Sequence, residues 1–433
     1  MNGFDDYPLF TVIIPQKDRG EYLLHTLRTC LIQDYPNFEI IVSDDCSEDN
    51  SVDIVRKLMK EDPRIKLFAH DRNLGMRDNF EFALNQVRPG YVIALGGDDG
   101  LIPGCIQKMN YLLSSTKTEL LTWPASKFIY PGMYSDSGRL MISRRKGVKV
   151  IRSREFLKRM SINLNYNSDD ECPMFYIKGV VSTRLIDKVK KRSLENRFYS
   201  CPTPDGFSGI VLAGEVDQYS YTLEPLSILG SSPASQGVNF LRNDNKAIEE
   251  SFKFFKQNEM KPMHEELAYQ QYSPLISLMT ADYLLTSRDL PGWPGDFPPI
   301  DFENLLNKCF IELSDAFYST ERVGRELEIL KEIAVKHNIR AYYDFLLKKK
   351  KKKKYHLRDF EGNGIGPRSV YFDSSILKIN NIYEAAYATV FLYNLTQSIS
   401  IRELLKMIYR TISYTYRSKI SGEHIFKLGD NNK

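Results

Sequence analysis

The sequence predicts an α/β fold: a mainly parallel sheet with helices on both faces, followed by a mainly helical C-terminal region. Short apolar runs alternate with stretches of helical periodicity over the first 125 residues. Polar clusters follow the first, second and fourth of these runs, which is where parallel sheets bind ligands. With 433 residues, 42% of them hydrophobic and 26% charged, the chain can bury a substantial core.

Five apolar runs predict buried strands, and apolar residues at helical spacing predict helices between them. The strands are Phe10–Ile14, Phe38–Val42, Ile65–Ala69, Tyr91–Leu95 and Leu120–Trp123. The first apolar residues of the four helices are Tyr22, Val52, Phe80 and Ile106. Pro15 is expected to end the first strand because it lacks an N–H group, and Asp49 is expected to cap the second helix.

Changes in pattern divide the chain into three predicted parts. Residues 1–125 form a ligand-binding α/β half, and residues 126–238, which are rich in irregular loops, form the half that receives a second substrate. Residues 239–433 form the helical region, with a proline-rich linker at Leu290–Ile300. The later stretch from Glu224 to Ser235 is expected to close the floor of the cleft.

Composition indicates a cytoplasmic protein. The six cysteines include no CxxC pair, Met1–Pro8 does not resemble a signal peptide, and no run of about 18 apolar residues predicts a membrane span. A net charge of +4 is too small for the basic field that nucleic-acid binding uses, so nucleic acid is not an expected partner.

Two basic segments leave the membrane surface open as a partner. Lys348–Lys354 is a run of lysines that is either solvated or in contact with anionic lipid or an acidic polymer. Apolar residues from Ile401 to Ile412 recur at helical spacing, with Arg402, Lys406 and Arg410 on another face. This basic amphipathic helix either packs on the protein or lies on an anionic membrane, which would make the protein peripheral at the inner face of the cell membrane.

Paired carboxylates after the second and fourth strands suit the binding of a nucleotide and a metal. Asp44 and Asp45 can accept hydrogen bonds from ribose hydroxyls or a uracil N–H, although the same residues favour a simple turn. Asp98 and Asp99 can hold Mg²⁺ or Mn²⁺ together with phosphate oxygens, although a Gly/Asp turn is again the alternative.

Four motifs in order resemble glycosyltransferase family 2, whose members have the GT-A fold. They are Val12–Pro15, Phe38–Asn50, Asn73–Gly75 and Gly97–Asp99. The resemblance implies an inverting hexosyltransferase that uses a nucleotide sugar, most often a UDP-sugar, with a divalent metal. It also implies a saccharide or lipid-linked saccharide acceptor in bacterial envelope or capsule polysaccharide synthesis.

The resemblance also assigns roles by position. The residues implied to bind the nucleotide sugar are Pro15, Gln16, Lys17, Asp44, Asp45, Arg77 and Asp98, and the implied metal ligand is Asp99. The family usually has a small hydroxyl residue, an aromatic residue and Asn where this chain has Gln16, Lys17 and Asp18. Lys17 therefore either adds positive charge near the diphosphate or signals another donor. Glycine at 96, where the family usually has Asp, predicts more room near the donor sugar.

The general base is predicted at Asp205, which precedes an apolar helix at about the position of the family's catalytic acid. Asp205 could equally serve only as a helix-start residue. Asp169, Asp170 and Glu171 form a second candidate cluster. The family's usual motif around the base is not intact, so a non-catalytic saccharide-binding or scaffold protein that keeps the GT-A fold is the alternative function. A dinucleotide-binding enzyme is excluded because no GxGxxG motif follows the first strand.

Overall fold

The computed structural model describes residues 7–133, 137–235, 249, 253, 263–267, 272–314, 320–349, 363–365 and 368–398. The strands are β1 Phe10–Gln16, β2 Phe38–Asp44, β3 Ile65–Ala69, β4 Tyr91–Ala94, β5 Gly100–Leu101, β6 Leu120–Thr122, β7 Ser126–Ile129, β8 Arg139–Ser143, β9 Val148–Arg152, β10 Gly179–Ser182, β11 Gln218–Thr222, β12 Ser227–Ser231, β13 Gly364–Ile365 and β14 Ser369–Asp373. The helices are α1 Gly20–Leu31, α2 Ser51–Glu61, α3 Met76–Asn85, α4 Cys105–Thr116, α5 Ser153–Asn163, α6 Thr183–Arg192, α7 Asp205–Gly214, α8 Ile276–Arg288, α9 Phe302–Glu312, α10 Thr320–Lys336, α11 Arg340–Lys349 and α12 Ile382–Ser398. A 3₁₀ turn, Glu265–Leu267, precedes α8.

The central sheet has the strand order β3-β2-β1-β4-β10-β6-β11-β9. Strands β1 to β4 are parallel to one another, and helices α1, α2 and α3 follow the first three of them along the chain. Beyond β4 the sheet is mixed, because β10 runs antiparallel to both of its neighbours. The parallel half of the sheet agrees with the sequence prediction.

Strand β1 runs through Pro15 to Gln16, so the prediction that proline ends it is wrong. Backbone groups of successive strand residues point to alternate sides. The Gln16 carbonyl accepts from the Asp45 N–H on the β2 side. The backbone groups of Pro15, one residue earlier, therefore face β4. Strand β4 ends at Ala94, which pairs with Ile13, and the missing N–H of Pro15 therefore breaks no ladder bond.

Both faces of the central sheet are buried where β1 crosses it. Val12 and Ile14 belong to one hydrophobic cluster, together with residues of α1, α2, α4 and α12. Ile13 lies in the other cluster, with residues of α3, α7 and α8. Alternate strand residues point to opposite faces, so β1 contributes to both clusters and is buried along its whole length. This burial fixes the position of the loop that follows β1.

A second sheet, not predicted from the sequence, has the order β13-β14-β8-β7-β12-β5. Strand β12 pairs with β5 and β7, and β14 pairs with β8. The predicted helical C-terminal region is present in α8 to α12, and it also supplies β13 and β14 to this sheet. Through β5 and β12, the second sheet brings a segment from beyond residue 226 next to the end of β4.

The two basic segments fall largely outside the described residues. Lys348 and Lys349 end α11, whereas the rest of the lysine run and the predicted amphipathic helix at 401–412 are not described. Among the described helices, none is long and apolar enough to cross a membrane.

Candidate active site

Three loops meet at the carboxyl edge of the parallel strands. Gln16 pairs with Asp44 at the ends of β1 and β2, and the N–H of Leu95 donates to the Ile13 carbonyl at 2.9 Å. The residues that follow each strand therefore come together, as sequence reasoning predicted. These are 16–19 after β1, 44–47 after β2 and 95–99 after β4.

Asp44 holds the turn after β2. One of its oxygens accepts from the Ser47 N–H at 2.9 Å, and the other accepts from Nε2 of Gln16. The side chain is buried, so the turn that sequence analysis offered as an alternative role is present. The Oε1 atom of Gln16 is buried without a hydrogen-bond partner among the described residues. An unpaired buried acceptor next to a ligand edge suits an N–H group from a ligand.

Asp45 joins the end of β2 to the loop before α3. Its Oδ1 accepts from the Leu74 N–H at 2.5 Å and its Oδ2 from the Gly75 N–H at 3.0 Å. Burial raises the pKa of Asp45, while these two donors, Lys17 and His70 act against that rise. Gly75 has φ of +84°, which glycine tolerates best. The predicted contact between Asp45 and a nucleotide stays a prediction.

Arg77 and Lys17 contribute positive charge differently. Arg77 donates to Asp78 Oδ1 through Nε and Nη2 at 2.9 and 2.8 Å, and Asp78 is also paired with Arg197. Lys17 is partly buried near Asp45, and its charge acts against the rise in the pKa of Asp45. Arg77 and Lys17 were both predicted to bind the nucleotide. Of these two side chains, Lys17 is therefore the one less engaged by a protein carboxylate.

Asp98 is the carboxylate around which three chain segments meet. Its Oδ2 accepts from Arg19 Nη1 at 3.1 Å and from the hydroxyls of Ser232 and Ser235, each at 2.6 Å. Within the described residues, no hydrogen bond reaches the Oδ1 atom of Asp98. A Cβ at Gly230 would lie 1.8 Å from the Asp98 carbonyl oxygen, so only glycine allows β12 to approach this closely.

Asp99 has a different environment from Asp98. It is fully buried, with Oδ2 accepting from the Gly96 N–H at 2.8 Å and Oδ1 from the Gly230 N–H at 2.9 Å. The hydroxyl of Tyr176 also hydrogen-bonds to its carboxylate. Burial first, and then the charge of Asp98, raise the pKa of Asp99. These contacts brace the loop after β4 against β12.

Among the described residues at this edge, the carboxylate of Asp98 is the one that could bind a divalent cation. No group of three or more His, Cys, Asp or Glu side chains in the described part of the chain could enclose a metal. Asp98 offers one uncommitted oxygen at the ligand edge, and phosphate oxygens and water would have to complete the coordination. Asp99, predicted from the sequence as the metal ligand, has both oxygens occupied by backbone donors.

Asp205 begins α7 and is partly buried. Burial raises the pKa of its carboxyl to about 6, and within the described part of the chain the one hydrogen bond that lowers this pKa comes from its own backbone. The charges of Asp98, Asp99 and Asp205 all raise the pKa of Tyr176, so Tyr176 lies near the loop after β4 and also near the start of α7. Asp205 thus belongs to the same region of the molecule as the Asp98 loop.

The second candidate cluster is neutralised by arginines. Arg159 pairs with Asp169 at 2.7 Å and with Glu171 at 2.8 Å, and Arg145 pairs with Asp170 at 2.5 Å. These carboxylates are engaged in ion pairs with guanidinium groups, whereas no ion pair engages Asp205 among the described residues. The geometry therefore favours Asp205 over Asp169–Glu171.

Sequence reasoning did not select four residues that the structure brings to the site: Arg19, Tyr176, Ser232 and Ser235. Arg19 belongs to the polar cluster 16–19 after the first strand but was given no role, and both serines lie in the stretch expected to close the cleft. Position along the chain could therefore have suggested these three. Tyr176 stands in no motif, and only the fold places it beside Asp99.

The architecture defines a class: an α/β protein with an acidic ligand site at the carboxyl edge of a parallel sheet. Residues 11–160 match the family model of glycosyl transferase family 2. The predicted GT-A fold and the predicted resemblance to the family are confirmed.

Several known proteins are similar to part of the chain. A GalNAc(5)-diNAcBac-PP-undecaprenol beta-1,3-glucosyltransferase of Campylobacter jejuni is 34% identical over 103 residues, which are 24% of this chain and 33% of that protein. The putative teichuronic acid biosynthesis glycosyltransferase TuaG of Bacillus subtilis is 35% identical over 92 residues, 21% of this chain and 36% of that protein. These matches span about a third of the length of each relative.

Among solved structures, S. aureus TarS 1-349 in complex with UDP-GlcNAc aligns with a TM-score of 0.42 and 14% sequence identity. The alignment covers 80% of this chain and 93% of that structure.

Proposed function

We propose that the protein is a glycosyltransferase that moves a sugar from a nucleotide donor to a hydroxyl of a saccharide or lipid-linked saccharide in envelope polysaccharide synthesis. The observation that carries this proposal is Asp98, with one uncommitted carboxylate oxygen at the edge where the loops after β1, β2 and β4 meet. The match of residues 11–160 to glycosyl transferase family 2 supports the class of reaction.

A UDP-sugar is the proposed donor, because UDP-sugars are the donors that the family resemblance most often implies. Gln16 supports a nucleobase at the edge, since its buried Oε1 lacks a partner among the described residues and could accept an N–H of uracil. Lys17, near Asp45, would add positive charge next to the nucleotide.

Mn²⁺ or Mg²⁺ is the proposed cofactor, with Asp98 as its protein ligand in preference to Asp99. The uncommitted oxygen of Asp98 supports this choice, as do the two backbone donors that occupy Asp99. When bound, such an ion would neutralise negative charge on the departing diphosphate.

Asp205 is the proposed general base. Its pKa of about 6 leaves it ionised at neutral pH, so it can take the proton from the attacking acceptor hydroxyl. Direct attack by that hydroxyl on the sugar carbon, opposite the leaving diphosphate, would invert the configuration. This fits the inverting hexosyl transfer that the family resemblance implies.

The names of two relatives support the proposed acceptor class: one acts on an undecaprenol-linked saccharide and the other is assigned to teichuronic acid synthesis. Such an acceptor would place the reaction at the cytoplasmic surface of the cell membrane. The described residues do not include the segment at 401–412, for which the sequence left both packing on the protein and lying on that surface open.

Donor hydrolysis tests this function against the non-catalytic alternative. Wild-type protein with Mn²⁺ is expected to release nucleoside diphosphate slowly from UDP-sugars, and more slowly or not at all from GDP- and TDP-sugars. Asp98→Asn is expected to abolish the release. If the wild type binds a saccharide but neither binds nor hydrolyses any of these donors, the saccharide-binding scaffold is the correct function.

A further inference from the structure

Arg19 is fixed at the entrance of the proposed donor site. It occupies the position before the first residue of α1, and its backbone N–H donates to the Ser51 hydroxyl at 3.2 Å. A Cβ at Gly97 would lie 2.9 Å from Cβ and 3.1 Å from Cγ of Arg19. The stem of Arg19 therefore packs on the bare backbone of Gly97, directly before Asp98.

The guanidinium of Arg19 uses only part of its hydrogen-bonding capacity. Nη1 lies 3.1 Å from Asp98 Oδ2 and 3.5 Å from the Ser232 hydroxyl. Among the described residues, no acceptor contacts Nε or Nη2. The side chain of Arg19 is 18% exposed and that of Asp98 is 6% exposed, so the pair is largely removed from water but its cationic end still reaches the cleft.

We propose that Arg19 holds the place of the metal ion on Asp98 before the donor arrives, and then binds the diphosphate of the donor. This inference rests on the proposed glycosyltransferase function. A carboxylate as buried as Asp98 needs a cationic partner when no metal is bound, and Arg19 supplies it.

Arrival of a divalent ion with a nucleoside diphosphate changes the balance of charge. A cation on Asp98 repels the neighbouring guanidinium, whereas the diphosphate attracts it. The planar fork of arginine matches two phosphate oxygens and binds them more strongly than it binds a single carboxylate oxygen. Ser232 and Ser235 keep donating to Asp98 Oδ2, so the carboxylate does not turn when Arg19 leaves it.

A purely structural ion pair predicts a different outcome from this exchange. If Arg19 only stabilised the loop after β4, its loss would weaken metal binding and nucleotide binding together. If Arg19 instead changes partners, its guanidinium competes with the metal for Asp98 and helps to bind the nucleotide. Its removal should therefore strengthen binding of the free metal and weaken binding of the nucleoside diphosphate.

The experiment measures the two affinities separately in the full-length chain. Mn²⁺ binding without nucleotide is followed by electron paramagnetic resonance, and UDP, GDP and TDP binding with Mn²⁺ by calorimetry. Arg19→Gln is expected to tighten Mn²⁺ binding and to weaken UDP binding, each by about tenfold or more. Arg19→Lys should fall between wild type and Arg19→Gln, because lysine keeps the charge without the fork.

Arg28→Gln is the matched control, since Arg28 is an exposed arginine on the same helix, and it should change neither affinity. Equal UDP binding by wild type and Arg19→Gln, or parallel loss of both affinities in Arg19→Gln and Arg19→Lys, would overturn the role of Arg19 and leave the proposed function standing. If the wild type binds none of the three nucleotides, the proposed function itself fails and the role of Arg19 fails with it.

Discussion

A side chain at position 96 would occupy the same space as the hydroxyl of Tyr176, because a Cβ on Gly96 would lie 2.6 Å from that oxygen. Asp99 Oδ2 would be 2.8 Å away. Glycine at this position was expected to leave more room near the donor sugar. The structure contradicts that expectation: the space next to Gly96 is filled by Tyr176 and Asp99.

This packing predicts that Gly96→Ala destabilises the protein. The added methyl group would push on Tyr176 and Asp99, at a cost of about 1–3 kcal/mol in the free energy of unfolding. Tyr176→Phe removes one of the two clashing oxygens, so the double variant should lose less stability than the sum of the single variants. Chemical denaturation of the four proteins measures this coupling, and strictly additive losses would show that Gly96 and Tyr176 do not compete for space.

Substitution of Asp98 should mainly affect metal binding, whereas substitution of Asp99 should mainly affect the stability of the fold. In Asp99→Asn, the side-chain NH2 group would face one of the two backbone N–H donors, which would then lack an acceptor. Leaving such a donor unsatisfied lowers the free energy of unfolding by about 1–3 kcal/mol. Asp98→Asn should leave stability closer to wild type but remove Mn²⁺-dependent binding of UDP. Unfolding curves and calorimetric titrations on both variants provide the measurement.

The opposite pattern would support the assignment made from the sequence. If Asp99→Asn folds with wild-type stability and loses only metal-dependent nucleotide binding, Asp99 is the metal ligand. Asp98 would then be left with its contacts to Arg19 and the two serines.

The ends of β1 to β4 could be predicted because each depends on local patterns. Apolar runs and helical spacing are properties of neighbouring residues, and parallel strands bring their polar ends together. The partners of those polar residues depend on distant parts of the chain. Arg19 meets Asp98 across 79 positions and Ser232 meets Asp98 across 134, and no local pattern reports such contacts.

The second sheet shows the same limit. Strand β5 has two residues, and β14 pairs with β8 from the far end of the described chain. Short strands in non-local pairs carry little periodicity, so the region after residue 239 seemed only helical. For Asp44 the sequence left a turn and a ligand contact open, and the bonds to Ser47 and Gln16 show the turn.

Asp205→Asn should lower turnover by about 10²-fold or more while donor binding stays near wild type, because an amide cannot accept the acceptor's proton. The base works as a carboxylate, so the wild-type rate should rise with pH through about 6 and level off above it. Rates of sugar transfer between pH 5 and 8 test this, with Asp187→Asn as a control at an exposed aspartate on α6.

Near-normal transfer by Asp205→Asn would move the base elsewhere. Asp169→Asn and Asp170→Asn are the next variants in that case, since their carboxylates are bound to Arg159 and Arg145 in the structure. A loss of the acidic limb of the pH profile in either of them would assign the base to this cluster.

Asp205 should also make the folded protein less stable at neutral pH than at acidic pH. Its carboxyl has a pKa of about 6 when folded, against 3.8 for an ordinary aspartate, so the folded state binds this proton more tightly than the unfolded state. Stability from this group is fully present below about pH 4 and is lost as pH rises to about 6. The loss is on the order of 1–3 kcal/mol.

Asp205→Asn removes that titration, so it should match wild type near pH 4 and exceed it in stability at pH 8. Asp99 and Asp282 also have raised pKa values through burial, but both are present in both proteins, and the difference between the two unfolding curves isolates Asp205. A variant that is less stable than wild type at pH 8 would mean that the carboxylate of Asp205 is stabilised by contacts in the fold. It would then be poorly suited to accept a proton from the sugar hydroxyl.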